Sequence, residues 1–206
     1  MVPDGHALAS GVGSFALLGQ GLATIPPGEH ENASLPLRLA VTQSTNAAIL
    51  LFRVNASGDA LSLTRLKEGE NGLPSDGSIP AEFGSSVTSL GDVDGDGLTD
   101  IGVGTGAANS FEGNVAVLFM HGDSDQVKAV TILDHADFNP GGLPAAIHLL
   151  GASIAGLGRL DDDDIVPDMA IGAPYSDYPD TRTGALVIVY LTTEGGVRDF
   201  CVIAPG

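Results

Sequence analysis

Apolar positions along this chain fall into short runs divided by polar turns, with no helical period. Ala47–Val54 is followed by the turn Asn55–Asp59 and then by Ala60–Leu66. Asn114–Met120, His121–Asp125 and Gln126–Leu133 repeat that order, and Ala185–Leu191, Thr192–Gly196 and Val197–Ile203 state it a third time. Each set reads as an apolar strand, a glycine-containing turn and a second strand of more alternating character, which predicts a β-hairpin. Phe52, Phe119 and Tyr190 take matching places in the three hairpins.

The segments upstream match as well. Phe83–Gly91 and Leu150–Gly158 align, and Gly11–Gly19 stands faintly in the same place in the first unit. After each comes another short strand, at Leu39–Val41, Ile101–Val103 and Met169–Ile171. Two inner strands and a hairpin make four strands per unit, and four-stranded sheets repeated along a chain are the blades of a β-propeller. The sequence therefore predicts an all-β protein of three four-stranded antiparallel blades, spanning 1–75, 76–142 and 143–206, with connections at Glu68–Pro80 and Asp134–Pro144. Propellers close with more blades than three, so further blades, from a longer chain or from other chains, are expected as partners.

Candidate chemistry concentrates in one stretch, Asp92-Val93-Asp94-Gly95-Asp96-Gly97-Leu98-Thr99-Asp100. Carboxylates at the first, third, fifth and ninth places repel one another unless a cation holds them. Ca²⁺ takes roughly six to eight oxygen ligands, which alternating aspartates on a tight loop supply. An EF-hand loop is excluded, because its closing acidic residue would fall at Val103 and both flanks are short and β-branched. The site belongs to a strand–loop–strand unit.

The run from Phe83-Gly84 through Asp92–Asp100 to Ile101-Gly-Val-Gly, with Ile171-Gly172-Ala173-Pro174 in the third unit, resembles the FG-GAP repeat, the blade unit of integrin α-subunit propellers. The resemblance covers residues 83–203 and reaches 11–66 only through the hairpin and a degenerate upstream half. It implies Ca²⁺ held by the side chains of Asp92, Asp94, Asp96 and Asp100 and by the Leu98 carbonyl. In the first unit Arg38 falls where the closing aspartate would be, and no metal is expected. In the third, aligning Gly158 with Gly91 puts Arg159 first, Asp161 third, Asp163 fifth and Asp168 last, with one extra residue between. Either Arg159 replaces the ion with its own charge, or Asp161, Asp163 and Asp168 form a second metal site in a shifted frame.

Composition narrows the function classes. Twenty-six acidic against eight basic side chains give a formal net charge of −18. That excludes nucleic acid, which is bound by Lys and Arg neutralising phosphates, and no apolar run predicts membrane insertion. The five histidines have no metal-ligand spacing, and no serine carries a nucleophile signature. Cys201, the single cysteine, reads as a core residue of an apolar strand. Asn32 and Asn55 open Asn-X-Ser sequons, glycan acceptors in a secreted eukaryotic protein. Together with the resemblance, these features lead to a non-enzymatic, calcium-stabilised module for adhesion, ligand binding or assembly, extracellular or at the cell surface, with a protein partner. The alternatives are an accessory region of a secreted enzyme, as FG-GAP blades are in a phospholipase-D-like hydrolase, and a structural subunit of a surface filament.

Overall fold

A computed structural model describes residues 18–29, 36–106, 112–138, 147–161, 165–177 and 183–204. Among these residues twelve strands form three antiparallel four-stranded sheets, each in sequential order. The first sheet holds β1 (Leu18–Ile25), β2 (Leu37–Gln43), β3 (Ala48–Val54) and β4 (Ala60–Lys67). The second holds β5 (Ser86–Gly91), β6 (Asp100–Gly104), β7 (Val115–His121) and β8 (Gln126–Leu133). The third holds β9 (Ser153–Gly158), β10 (Asp168–Ala173), β11 (Ala185–Leu191) and β12 (Val197–Ile203). The strand before the first loop is Leu18–Ile25 rather than Gly11–Gly19, of which residues 11–17 lie outside the described chain. Both stretches are glycine-spaced and apolar, so pattern alone did not separate them.

The sheets stack face to face. Ala116, Leu118 and Met120 of β7 point toward the first sheet and pack on Ile25, Ala40, Ile49 and Leu51. The alternate residues Val115, Val117 and Phe119 point the other way, onto Met169, Ile171, Val187 and Val189 of the third sheet. Every one of these side chains is at most 4% exposed. This explains why β7 reads as an unbroken apolar run. A middle sheet is buried on both faces, and alternation is lost.

Two phenylalanine- or leucine-glycine pairs join the sheets. Phe83 and Leu150, both fully buried, plug the two seams just before β5 and β9. The glycines that follow adopt left-handed backbone, with φ of 93° at Gly84 and 86° at Gly151. Each also runs against the opening of the preceding sheet's third strand. A Cβ at Gly84 would lie 2.8 Å from the Ala48 carbonyl oxygen, and one at Gly151 would lie 2.4 Å from that of Asn114. A side chain is therefore excluded twice over, by dihedral and by contact.

The sheet registers also correct one match between units. A bulge separates Phe119 from Met120, Tyr190 from Leu191, and Arg53 from Val54. Arg53, not Phe52, thus shares the place of Phe119 and Tyr190, and Arg38, its partner on β2, stands where Asp100 and Asp168 stand. Cys201 is exposed rather than core. It pairs with Ile188 on the side of the third sheet facing away from the second, so its apolar strand is covered on one face only.

Candidate metal centre

The acidic loop joins β5 to β6 in the middle sheet, and its own carboxylates hold its shape. Asp92 accepts the backbone N–H of Gly95 at one oxygen and of Gly97 at the other, each at 2.8 Å. Asp94 accepts from Asp96 N–H at 3.3 Å and Asp96 from Leu98 N–H at 2.9 Å. Each aspartate turns the chain by binding an amide two or more residues ahead, which is why Asp alternates with Gly here. The neighbouring units brace the loop. A Cβ at Gly28, in the β1–β2 connection, would lie 2.1 Å from the Gly97 carbonyl oxygen, and one at Gly91 would lie 3.2 Å from Pro167 of the third unit.

Asp100 anchors the loop to the core. It is fully buried, and its two carboxylate oxygens accept Val93 N–H at 2.9 Å and Met120 N–H at 3.0 Å. Asp168 does the same in the third unit, accepting Leu160 N–H at 2.9 Å and Leu191 N–H at 3.4 Å. Val93 and Leu160 both lie two residues after the glycine that ends the preceding strand, so the alignment of Gly158 with Gly91 holds, with the extra residue inside the loop.

Carboxylate oxygens of Asp92, Asp94 and Asp100 lie within 4.8 Å of one another, the one such acidic grouping among the described residues. An all-oxygen, all-anionic donor set fits a hard divalent cation. Asp96, the fourth carboxylate, instead faces Lys128 on β8. The Lys128 ammonium is 2.7 Å from Asp94 Oδ2 and also pairs with Asp96. Burial works against that ammonium's charge, but hydrogen bonds to Asp94 and Asp96 outweigh it and raise its pKa. Lys128 was invisible to loop-centred reading, because it lies on the outermost strand. Leu98 is half-buried beside the cluster.

Burial pushes the Asp100 carboxyl from 3.8 up to about 7; the amides of Met120 and Val93 pull it back, and the charges of Asp94 and Asp96 add to the rise. In the cation-free protein, the folded chain therefore keeps a proton that the unfolded chain releases. The stability this confers is complete below pH 3.8 and is lost as pH rises through about 7. The chelated protein should melt higher near pH ~5 than near pH ~7.5, with Asp100→Asn flattening that slope. Differential scanning calorimetry at the two pH values checks it, and an equal slope in the variant would place the effect elsewhere.

Among the described residues, arginines stand at the corresponding positions in the other units. In the third, Arg198 Nη2 lies 2.6 Å from Asp161 Oδ2, with its guanidinium 5.6 Å from the centre of the Tyr190 ring. Asp161 Oδ1 is enclosed without a hydrogen-bond partner. Arg159 is exposed, and Asp163 lies outside the described residues. In the first unit Arg38, only 4% exposed, donates to the Pro26 carbonyl at 3.3 Å and approaches Asp125 Oδ1 at 3.9 Å. Arg53 grips the same Asp125 with two bonds, of 2.7 and 2.9 Å. Asp125 comes from the β7–β8 turn of the second unit, so Arg38 and Arg53 form an ionic link between the first two sheets. Of the sequon residues, Asn55 shapes its own turn, accepting from Ser57 and Asp59 N–H at 3.0 and 2.8 Å, and Asn32 lies outside the described residues.

No protein-family profile matches the chain. Over 105 residues it is 34% identical to integrin alpha-X of Mus musculus, which is 51% of this chain and 8% of that protein. The chain thus spans a small fraction of the length of this relative. The fold and the match together define an all-β protein of stacked four-stranded sheets with distant similarity to an integrin α subunit. Among the described residues no helix is long and apolar enough to cross a membrane.

Proposed function

We propose that this chain is a calcium-stabilised, non-enzymatic segment of an adhesion-type β-propeller, acting outside the cell or at its surface and presenting its loops to a protein partner. The reading is carried by the acidic loop. Three carboxylates of one strand–loop–strand turn converge within 4.8 Å while connections from the units on either side press against the same loop. Asp92, Asp94 and Asp100 would hold the ion, which would supply charge neutralisation to a partly buried acidic cluster. The integrin similarity supports the adhesion class, and the charge of −18 suits a partner met through bridging cations or basic groups.

The chain's own part is positional. Asp100 fixes β6 to β7, Asp92 folds the loop, and Gly28 and Pro167 carry its rigidity into the first and third units. An ion that binds only the folded loop stabilises the fold by mass action, about 2.7 kcal/mol when calcium exceeds its dissociation constant a hundredfold. Melting temperature should rise in millimolar Ca²⁺ and fall back in chelator, and Asp94→Ala should remove most of that response. A melting temperature indifferent to both reagents would refute the calcium reading.

A further inference from the structure

We infer that Lys128 is a resident counter-ion that occupies the acidic loop in place of the cation and sets how tightly the cation binds. This rests on the calcium reading of the loop and adds to it a competitor built into the chain. The geometry is direct: the ammonium reaches the carboxylates of both Asp94 and Asp96, from a strand that is not one of the two flanking the loop. A dication placed among Asp92, Asp94 and Asp100 shares Asp94 with that ammonium and lies beside it.

The arrangement recurs inside the molecule. Met120 pairs with Val127 just past the β7–β8 bulge, and Leu191 pairs with Val197 just past the β11–β12 bulge. Lys128 and Arg198 therefore hold one place on the fourth strand, and each bonds to the aspartate at the third place of its own loop, Asp94 or Asp161. In the first unit the same register gives Leu61, past the pairing of Val54 with Ala60, and there the closing position is Arg38 rather than an aspartate. Within this chain the basic residue accompanies the acidic loop. Its side chain is about 29% exposed, so it has a path to solvent when the ion enters.

The consequence is a loop with two states, one in which the lysine ammonium partly neutralises Asp94 and Asp96 at low calcium and one closed by the ion. Even with water-like screening, a unit charge about 6 Å from a dication weakens binding about tenfold by Coulomb repulsion. Calorimetric titration of the whole chain with Ca²⁺ tests this. Lys128→Met should bind about tenfold more tightly than the parent, Lys128→Arg should bind like the parent, and the chelated Lys128→Met protein should melt below the chelated parent. Unchanged or weaker binding by Lys128→Met overturns the inference while leaving the calcium site in place. If neither the parent nor Lys128→Met binds, or if Asp92→Asn binds as the parent does, the calcium reading falls and the inference with it.

Discussion

Replacing Asp125 with asparagine should lower the melting temperature by on the order of 10 °C, from a loss of about 3–5 kcal/mol. Asparagine keeps the shape of the side chain and tolerates the left-handed backbone of this residue, φ 53°. What it removes is the carboxylate shared by Arg38 and Arg53, in a seam where the Asp125 side chain is 4% exposed. Two guanidiniums are left facing each other across β2 and β3 without that charge, and burying a charge after its partner is deleted is far more damaging than replacing the whole pair. The reverse design follows from the same reasoning. Adding apolar substitutions at Arg38 and Arg53 to the Asp125 variant should recover much of the loss. Chemical denaturation of the single and combined variants checks both, and a single variant within about 0.5 kcal/mol of the parent would show that the seam is held without the ionic link.

Gly151→Ala should be the other strongly destabilising change, by about 2–5 kcal/mol. Left-handed backbone costs a residue with a Cβ roughly 1–2 kcal/mol, and forcing an atom into a packed seam adds roughly 1–3. Both apply, because φ is 86° and the Cβ would meet the Asn114 carbonyl oxygen at 2.4 Å. Gly58 provides the control. Its φ is also 86°, yet nothing lies within 4 Å of the added atom, so Gly58→Ala should show the dihedral penalty alone. Equal melting shifts for the two variants would mean that the contact at Gly151 relaxes freely.

The parts of this architecture that were legible in the sequence are local ones. A hairpin shows itself through a turn flanked by apolar strands, and the acidic loop through the spacing of Asp92, Asp94, Asp96 and Asp100, since both signals lie within a few residues. The parity of β3 did not show itself. Its run of Ile49, Leu50 and Leu51 is buried on both sides, so the alternation that would distinguish Arg53 from Phe52 is absent and only the bulge settles it. Cys201 is exposed despite its apolar neighbours for the converse reason, since apolar character does not say which face of an outer strand is covered. Long-range charge pairs were also hidden. Arg53 and Asp125 are 72 residues apart, and Lys128 is 32 residues from Asp96. Nothing in either neighbourhood reveals the partner, which sheet stacking brings to Arg53 and strand order within the second sheet brings to Lys128.

Arginine at the closing position of the first loop and arginine paired with the aspartate at the third place of the last give each flanking unit an internal cation. The middle unit, braced from both sides, keeps the converging aspartates. A metal held there would act on a loop that touches connections from both flanking units, in keeping with the scaffold role proposed above. The most direct measurement is a count of calcium bound per chain by equilibrium dialysis, on the parent protein and on Asp92→Asn. One ion per chain, lost in the variant, is the predicted result. No bound calcium, or an ion retained by Asp92→Asn, would contradict a metal centre at this loop.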